Sequence, residues 1–138
     1  MGRLDGTVQD SYATGGVSAL THSYCGSLVG DMIIGSSILS SYSDASVSAG
    51  TSSTLGGLVG SAGNNVGRTL TDTYWDLETS GIGDPSQGVG TMANFPGVTG
   101  LTTAQFQSGL PTGFSSAVWG SSSAVNGGYP YLLALPPS

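Results

Sequence analysis

Two aspartates occupy the positions in this sequence that best fit a metal site. Asp44 and Asp76 fall in the same column of an internal repeat of about 30 residues, with Thr14 one copy earlier. If the copies stack as parallel strands, the two carboxylates come within about 4.8 Å of each other. Carboxylates that close either turn into solvent or share a cation such as calcium. The sequence therefore predicts a calcium site at Asp44 and Asp76, with solvated turn acids as the alternative, and no other cofactor.

The acidic residues also raise the question of catalysis. Asp72, Asp76 and Glu78 resemble the acid cluster of a polysaccharide hydrolase or lyase. Some proteins built from stacked β-strand repeats are such enzymes. Their clefts usually place Lys, Arg or His beside the acids, whereas this sequence has no lysine and one histidine, His22. It also lacks a Gly-x-Ser-x-Gly elbow. We therefore expect no enzyme and no catalytic residue, with His22 in an exposed turn.

Two other patterns match functional sites by letter only. Residues 88–93 fit Gly-x-Gly-x-x-Ala, but no strand–helix unit with an acid about 20 residues further on surrounds them, so they predict no dinucleotide site. Cys25 is the one cysteine and shares its repeat column with Leu55, which favours a buried small hydrophobe over a reactive thiol.

The composition limits the class of protein. Among the 138 residues are 24 glycines, 23 serines and 14 threonines, but only ten charged side chains, for a net charge of −6. Two arginines neutralise few phosphates, so we expect no nucleic-acid partner. Glu and Lys, which favour helices, are nearly absent. The composition predicts a β-rich chain of short strands and tight turns that is solubilised by hydroxyl groups.

An internal repeat supplies the register of those strands. The aligned columns are Val8/Ile38/Leu70, Tyr12/Tyr42/Tyr74, Val17/Val47 and Leu28/Leu58. Each copy holds three short apolar runs separated by turn-forming residues, and one copy cannot bury its apolar face alone. The sequence therefore predicts an all-β fold: a right-handed parallel β-helix, or solenoid, with coils of about 30 residues.

One column conflicts with a regular strand. If Val8 and Tyr12 both face the core, strand alternation also turns Asp10, and with it Ser40 and Asp72, inward. Stacked buried polar residues are costly. A bulge or corner between positions 8 and 12 would remove the conflict.

The repeat ends near Tyr74, which divides the chain into repeats at 1–74 and an irregular coil and cap at 75–138, packed as one domain. Residues 101–107 read as a short helix, because Thr102 and Gln105 have capping-box spacing and Gly109 and Pro111 follow. The bulky apolar residues of the last part are expected to form a cap that covers the last coil.

These segments resemble a known bacterial repeat, the GLUG motif. Residues 56–60 (Gly-Gly-Leu-Val-Gly), followed by Asn64-Asn65 and by residues 68–74, carry the resemblance, as do residues 26–30 and 38–42. The first copy departs from the pattern at Ser27 and at Asp31. The GLUG motif occurs in large bacterial surface and secreted proteins, including filamentous-haemagglutinin-like adhesins, and implies an exported parallel β-helix.

The resemblance implies a non-catalytic adhesion or surface-binding segment, secreted or on the bacterial cell surface, with its export signal upstream. The partner would be a host, matrix or glycan surface. The alternatives are a structural stalk or filament segment that associates end to end, and a polysaccharide-active enzyme fragment. We expect no membrane span, because the most apolar stretch, residues 28–39, is interrupted by Gly, Ser and Asp31.

Overall fold

Short strands account for most of the regular structure in the computed structural model, which describes residues 1–63 and 66–137. Asn64 and Asn65 of the GLUG-like pattern lie outside the described residues. The strands are β1 (Arg3–Leu4), β2 (Thr7–Gln9), β3 (Tyr12–Ala13), β4 (Gly16–Ala19), β5 (Tyr24–Gly26), β6 (Val29–Met32), β7 (Ser37–Ser43), β8 (Ser46–Ala49), β9 (Thr54–Gly56), β10 (Val59–Ser61), β11 (Thr69–Asp76), β12 (Val98–Leu101), β13 (Trp119–Gly120) and β14 (Tyr131–Leu132). A short helix α1 (Thr103–Gln107) and a 3-10 turn (Asn126–Gly128) complete the elements.

The fold is all-β, as expected, and its sheets are built by parallel pairing of strands one repeat apart. The sheet orders are β1-β6-β10, β12-β11-β7-β2 with β3 also on β7, β4-β8 and β5-β9. Ile38 pairs with Val8 on one side and with Leu70 on the other. Tyr42 pairs in the same way with Tyr12 and Tyr74. These two columns are therefore confirmed as strand partners, as is Val17/Val47. Leu28 and Leu58 lie just before β6 and β10, where the Leu28 N–H donates to the Leu58 carbonyl at 2.9 Å.

A bend in every copy resolves the conflict at Asp10. Asp10, Ser40 and Asp72 have φ angles of 48°, 46° and 50°, in the left-handed region. The bend predicted between positions 8 and 12 is thus confirmed, at that one column. The bend also changes the face of the sheet to which the following side chains point, because one residue has left the extended conformation.

The change of face separates the Val8 column from the Tyr12 column. Val8, Ile38 and Leu70 pack in the inner core with Val29, Met32, Leu58 and Val59. Tyr12, Tyr42 and Tyr74 belong instead to a second cluster outside the sheet. Val8 and Tyr12 therefore do not both face the inner core, because the bend turns the tyrosines to the outer surface.

Hydroxyl side chains stabilise these bends. The Ser41 Oγ atom accepts the Ser11 backbone N–H at 3.1 Å and donates to the Leu39 carbonyl at 2.8 Å. At a second corner, the Ser53 Oγ atom accepts the Ser23 backbone N–H at 3.1 Å. Each serine follows a residue with positive φ, namely Ser40 or Ser52. The serine hydroxyls therefore form hydrogen bonds with backbone groups that the bends remove from the strand ladders.

The glycines of the Gly-x-Leu-Val-Gly segments lie where two backbones cross. A Cβ atom on Gly26 would lie 2.4 Å from the Val29 carbonyl oxygen and 2.5 Å from the Gly60 nitrogen. A Cβ atom on Gly56 would lie 1.8 Å from the Val59 carbonyl oxygen. No side chain fits in this space, so the segments need glycine for close packing of β5 and β9 against β6 and β10.

Residues 102–137, here called the cover segment, pack against the outer surface of the tyrosine sheet. The predicted helix is confirmed as α1, whose N-cap Thr102 forms a capping box with Gln105. Phe106, Phe114, Trp119 and Tyr129 join the tyrosine cluster. The expected cap over the last coil is thus corrected to a lateral cover, because the apolar surface that needs burial is the outward tyrosine column.

The cover segment reaches every copy of the repeat. The indole N–H of Trp119 donates to Asp10 at 3.4 Å, and Ser40 donates to the Gly113 carbonyl at 3.1 Å. The Tyr74 hydroxyl donates to the Thr112 carbonyl at 2.6 Å. Between the repeats and the cover, Trp75, Ile82, Val89 and Phe95 continue the inner core, so that core extends past residue 74.

In the parts of the chain that the structure describes, no helix has the length and apolar character needed to cross a membrane.

Candidate functional site

Asp76 ends β11 as a fully buried carboxylate that joins the repeats to the cover segment. Its Oδ1 atom accepts the backbone N–H groups of Glu78 at 2.8 Å and Thr79 at 3.1 Å. Its Oδ2 atom accepts the Thr103 hydroxyl at 2.8 Å and the Tyr129 hydroxyl at 2.5 Å. Asp76 has 0% of its surface exposed. The four donors replace the water that a solvated turn acid would keep.

The structure brings Asp44 next to Asp76, as their shared column predicts. Ser43 pairs with Trp75, so the two aspartates follow at the next position of neighbouring strands. Burial raises the pKa of Asp44, and the charge of Asp76 raises it further. The Asp44 carbonyl accepts the Thr79 hydroxyl at 2.6 Å.

The predicted calcium site would rest on these two carboxylates. Within residues 1–63 and 66–137, no group of three or more His, Cys, Asp or Glu side chains is placed so that it could hold a metal ion. Calcium takes about six to eight oxygen ligands, whereas both oxygens of Asp76 already accept hydrogen bonds from the protein. Calcium binding at Asp44 and Asp76 stays a prediction.

The acid cluster considered for catalysis is divided among different surroundings. Asp72 lies at the bend, where a Cβ atom on Gly113 would meet its carboxylate. Asp76 is buried under Thr103 and Tyr129. Glu78 is exposed and accepts the Thr103 backbone N–H at 3.3 Å. Asp76 therefore joins β11 to the cover segment. Burial of the Tyr129 hydroxyl, together with the hydrogen bond that it donates to Asp76, raises the pKa of that hydroxyl.

His22 and Cys25 lie where the sequence suggested. His22 is exposed at a corner with φ of 56°, and its backbone N–H donates to the Thr51 carbonyl at 3.2 Å. Cys25 is 2% exposed and pairs with Leu55. Burial raises the pKa of its thiol, which disfavours the reactive thiolate.

A groove on the cover segment is the strongest candidate for binding a ligand. It lies along the outer side of β11 and β12 beside α1 and has a volume of about 520 Å³. Its lining residues are uncharged: Tyr74, Thr99, Leu101, Gln105, Ser108, Gly109, Leu110, Pro111 and Thr112. The Tyr74 ring packs edge-on against Phe114, with ring centroids 5.6 Å apart, which holds the base of the groove.

Local chemistry explains how the groove forms. The capping box of Thr102 and Gln105 starts α1 directly after β12, and Ser108 ends it. The chain then turns back over β11, so that the Thr112 backbone carbonyl accepts a hydrogen bond from the Tyr74 hydroxyl. Sequence reasoning identified the helix and its stop signal but missed the groove. The available signal was the run of hydroxyl, amide and proline residues at 105–112.

Comparisons of the chain with protein-family models, with curated proteins and with solved structures find no match. The GLUG-motif resemblance therefore remains a prediction that rests on the residues quoted for it.

Proposed function

We propose that this chain is a non-catalytic segment of an exported bacterial surface protein, secreted or held at the cell surface, that acts in adhesion or surface binding. We further propose that its parallel sheets close into a right-handed β-helix. Strand partners lie 30 residues apart in β2–β7, β4–β8 and β5–β9, which supports a coil of that length. The Gly-x-Leu-Val-Gly segments that bring these backbones together are also the basis of the GLUG-motif resemblance.

The uncharged groove beside β12 is the observation that carries the binding proposal. Thr99 and Thr112 are exposed at its edge, while Leu101, Leu110 and Pro111 supply apolar surface. Ligand sites commonly combine an apolar lining with a few polar groups that fix orientation. Hydroxyl and amide groups without charge suit a neutral, hydroxyl-rich ligand such as a glycan on a host or matrix surface.

A glycan array probed with the intact chain tests this proposal. We expect a saturable signal on a subset of neutral glycans. Thr99→Arg places a long cation in the groove and should abolish that signal. Thr71→Arg is the matched control, because Thr71 is an exposed threonine on β11 that does not line the groove. The proposal is wrong if the parent chain gives no saturable signal on glycans, matrix or host cells, or if both variants bind alike.

The open edge of the first coil favours a second candidate function, a stalk or filament segment. The first-coil strands end every sheet to which they belong, so further strands can be added there. A stalk predicts no glycan signal together with end-to-end multimers in electron micrographs. The enzyme alternative predicts release of reducing sugars from acidic polysaccharides, with loss of release in Asp76→Asn.

A further inference from the structure

Asn126 lies at the centre of the contact between the cover segment and the tyrosine column. It begins the 3-10 turn, and its side-chain Nδ2 atom donates to the Tyr42 hydroxyl at 3.2 Å and to the Pro130 carbonyl at 3.0 Å. The Tyr42 hydroxyl in turn donates to the same carbonyl at 2.6 Å. Tyr42 has 0% of its surface exposed. This one amide group therefore supplies a hydrogen bond to a buried hydroxyl in the middle of the tyrosine column.

The residue that follows Asn126 makes this amide chemically reactive. An asparagine side chain can be attacked by the backbone nitrogen of the next residue, and glycine permits the attack best because it has no Cβ atom to obstruct ring closure. The chain has asparagines at 64, 65, 94 and 126, and only Asn126 is followed by glycine. Gly127 is exposed and has a φ angle of 62°. The reactive sequence and a surface position thus coincide at one asparagine.

Asn94 provides a comparison within the same chain. Its φ angle of 54° matches the 52° of Asn126, so both residues have the left-handed backbone conformation. Asn94 is exposed and is followed by Phe95, which is 4% exposed and packs in the inner core. A bulky, buried side chain on the next residue hinders attack by its nitrogen. The two asparagines therefore differ in the residue that decides their reactivity.

The hydrogen bonds of Asn126 oppose the reaction while the cover segment is docked. The Nδ2 atom must leave as ammonia, whereas here it is held by the Tyr42 hydroxyl and the Pro130 carbonyl. Gln107 also donates to the Gly127 carbonyl at 2.9 Å, which fixes the turn. The reaction therefore requires local opening of the turn, and surface turns open far more often than a whole domain unfolds.

We propose that Asn126 is a site of slow, irreversible deamidation that loosens the cover segment. When the turn opens, the Gly127 nitrogen loses its proton and bonds to the side-chain carbon Cγ of Asn126, and the bond from Cγ to Nδ2 breaks with release of ammonia. Water then opens the resulting ring at one of its two carbonyl groups. The products are aspartate and isoaspartate, and water is the only co-reactant.

The product cannot make the contacts that the amide makes. A carboxylate has no N–H group, so it meets the Pro130 carbonyl oxygen as a second acceptor and no longer donates to the Tyr42 hydroxyl. Burial, and after it the charge of Asp44, raises the pKa of that hydroxyl, so the new carboxylate enters a region that is enclosed and already negative. Lost hydrogen bonds and added negative charge both favour release of the cover segment.

Peptide mapping by mass spectrometry tests the site in the intact chain, kept folded in a mildly alkaline buffer. We expect aspartate and isoaspartate to accumulate at Asn126 while Asn94 stays an amide. Tyr42→Phe removes one of the two acceptors of Nδ2 and should raise the rate of conversion several-fold. Tyr12→Phe is the matched control, because it removes a hydroxyl from the same column, with ring centroids 5.3 Å apart, and leaves both acceptors in place. Its rate should match that of the parent chain.

The effect of the product is tested directly with Asn126→Asp. This variant should melt about 5 °C or more below the parent chain, because buried groups lose their hydrogen-bond partners. Chymotrypsin should also cleave it faster after Phe106, Phe114 and Trp119, which are buried in the docked cover segment. Asn94→Asp is the matched control, since it adds the same charge at an exposed asparagine and should keep the parent's melting temperature and cleavage rate.

Three results would overturn the proposal. The first is an unchanged Asn126 in the folded chain after many times the period in which a synthetic peptide of residues 122–131 converts. The second is equal conversion in Tyr42→Phe and Tyr12→Phe, and the third is an Asn126→Asp variant as stable and protease-resistant as the parent. The cover segment also carries the groove, so its release should end glycan binding. That consequence rests on the proposed function, whereas conversion and melting are measured without a glycan.

Discussion

The first coil and the coil that ends at Asp76 share the same residue columns, but they differ in what covers them. In the first coil Val8 and Val17 remain half-buried beside open cavities. At the opposite end Leu70 and Trp75 are 5% and 0% exposed under the chain that follows β11. The repeat alone therefore specifies how the coils stack. Burial of the coil that ends at Asp76 depends on the segment that follows it.

The largest expected effect concerns the glycines that permit close packing. Gly56→Ala places a Cβ atom 1.8 Å from the Val59 carbonyl oxygen and 2.7 Å from the Gly90 nitrogen, both backbone atoms. We expect a loss of about 3 kcal/mol or more, or failure to fold, because overpacking against backbone cannot be relieved by a rotamer change. Urea denaturation measures it.

The first-coil glycine Gly16 provides the comparison. A Cβ atom there would meet only the Ser46 Oγ atom, at 2.8 Å, and this side chain can rotate away. Gly16→Ala should cost much less than Gly56→Ala, and Gly83→Ala, with no atom within 4 Å, should be close to neutral. Equal losses at Gly16 and Gly56 would contradict the distinction between a side chain that can rotate away and a backbone that cannot.

Asp76→Ala is expected to have the next largest effect, about 3 kcal/mol. The substitution leaves the Tyr129 and Thr103 hydroxyls and two backbone N–H groups without their acceptor in a buried place, and each unsatisfied group costs about 1–3 kcal/mol. Thermal unfolding followed by tryptophan fluorescence reports it, because Trp75 and Trp119 lie on the two sides of the joint.

The matched control at this joint is Glu78→Gln. Glu78 is exposed and accepts one weak hydrogen bond from the Thr103 backbone at 3.3 Å. It should change stability by less than about 0.5 kcal/mol, as surface substitutions usually do. If Asp76→Ala proved as mild as this control, the buried carboxylate would not hold the cover segment in place.

A valine pair in one column sharpens the comparison of coils at a smaller scale. Val47→Ala should cost about 2 kcal/mol, because it removes two methyl groups from a filled interior. Val17→Ala, in the paired position at the open end, should cost less than half of that. Urea denaturation measures both costs. Equal costs would mean that the first coil is already covered.

The smallest expected effect is the pH dependence at Asp44. Burial and the charge of Asp76 raise its pKa in the fold, so the ionised form disfavours the folded state. Its contribution to stability is fully present below the pKa of the unfolded chain and is lost as pH rises through the raised value. Asp44→Asn should therefore raise the melting temperature slightly at neutral pH, and the gain should vanish in acid.

Calcium addition separates this electrostatic effect from metal binding. If Asp44 and Asp76 share a calcium ion, the melting temperature of the parent chain should rise in millimolar calcium relative to EDTA, and Asp44→Asn should remove the rise. An identical melting temperature in both solutions would end the calcium prediction, and it would leave the pH dependence as the sole consequence of placing the two carboxylates side by side.

Much of the fold could be predicted because it depends on local or periodic signals. The Thr102–Gln105 capping box specified α1, and the repeat placed Ile38 between Val8 and Leu70. A bend between positions 8 and 12 could also be predicted, since a regular strand would have buried Asp10, but its place at Asp10, Ser40 and Asp72 was given only by their φ angles. The position of the cover segment could not be predicted, because a segment rich in aromatic residues does not indicate which surface those residues will bury.

By itself, the sequence determined the stacking register, since each repeat column meets its own copy one strand away. Only the tertiary structure decided that the tyrosine column faces outward and that Asp76 is enclosed by Thr103 and Tyr129. Those contacts join residues 27 and 53 positions apart that share no repeat, so no periodicity relates them. They form because the bend exposes an aromatic surface that the last part of the chain must bury.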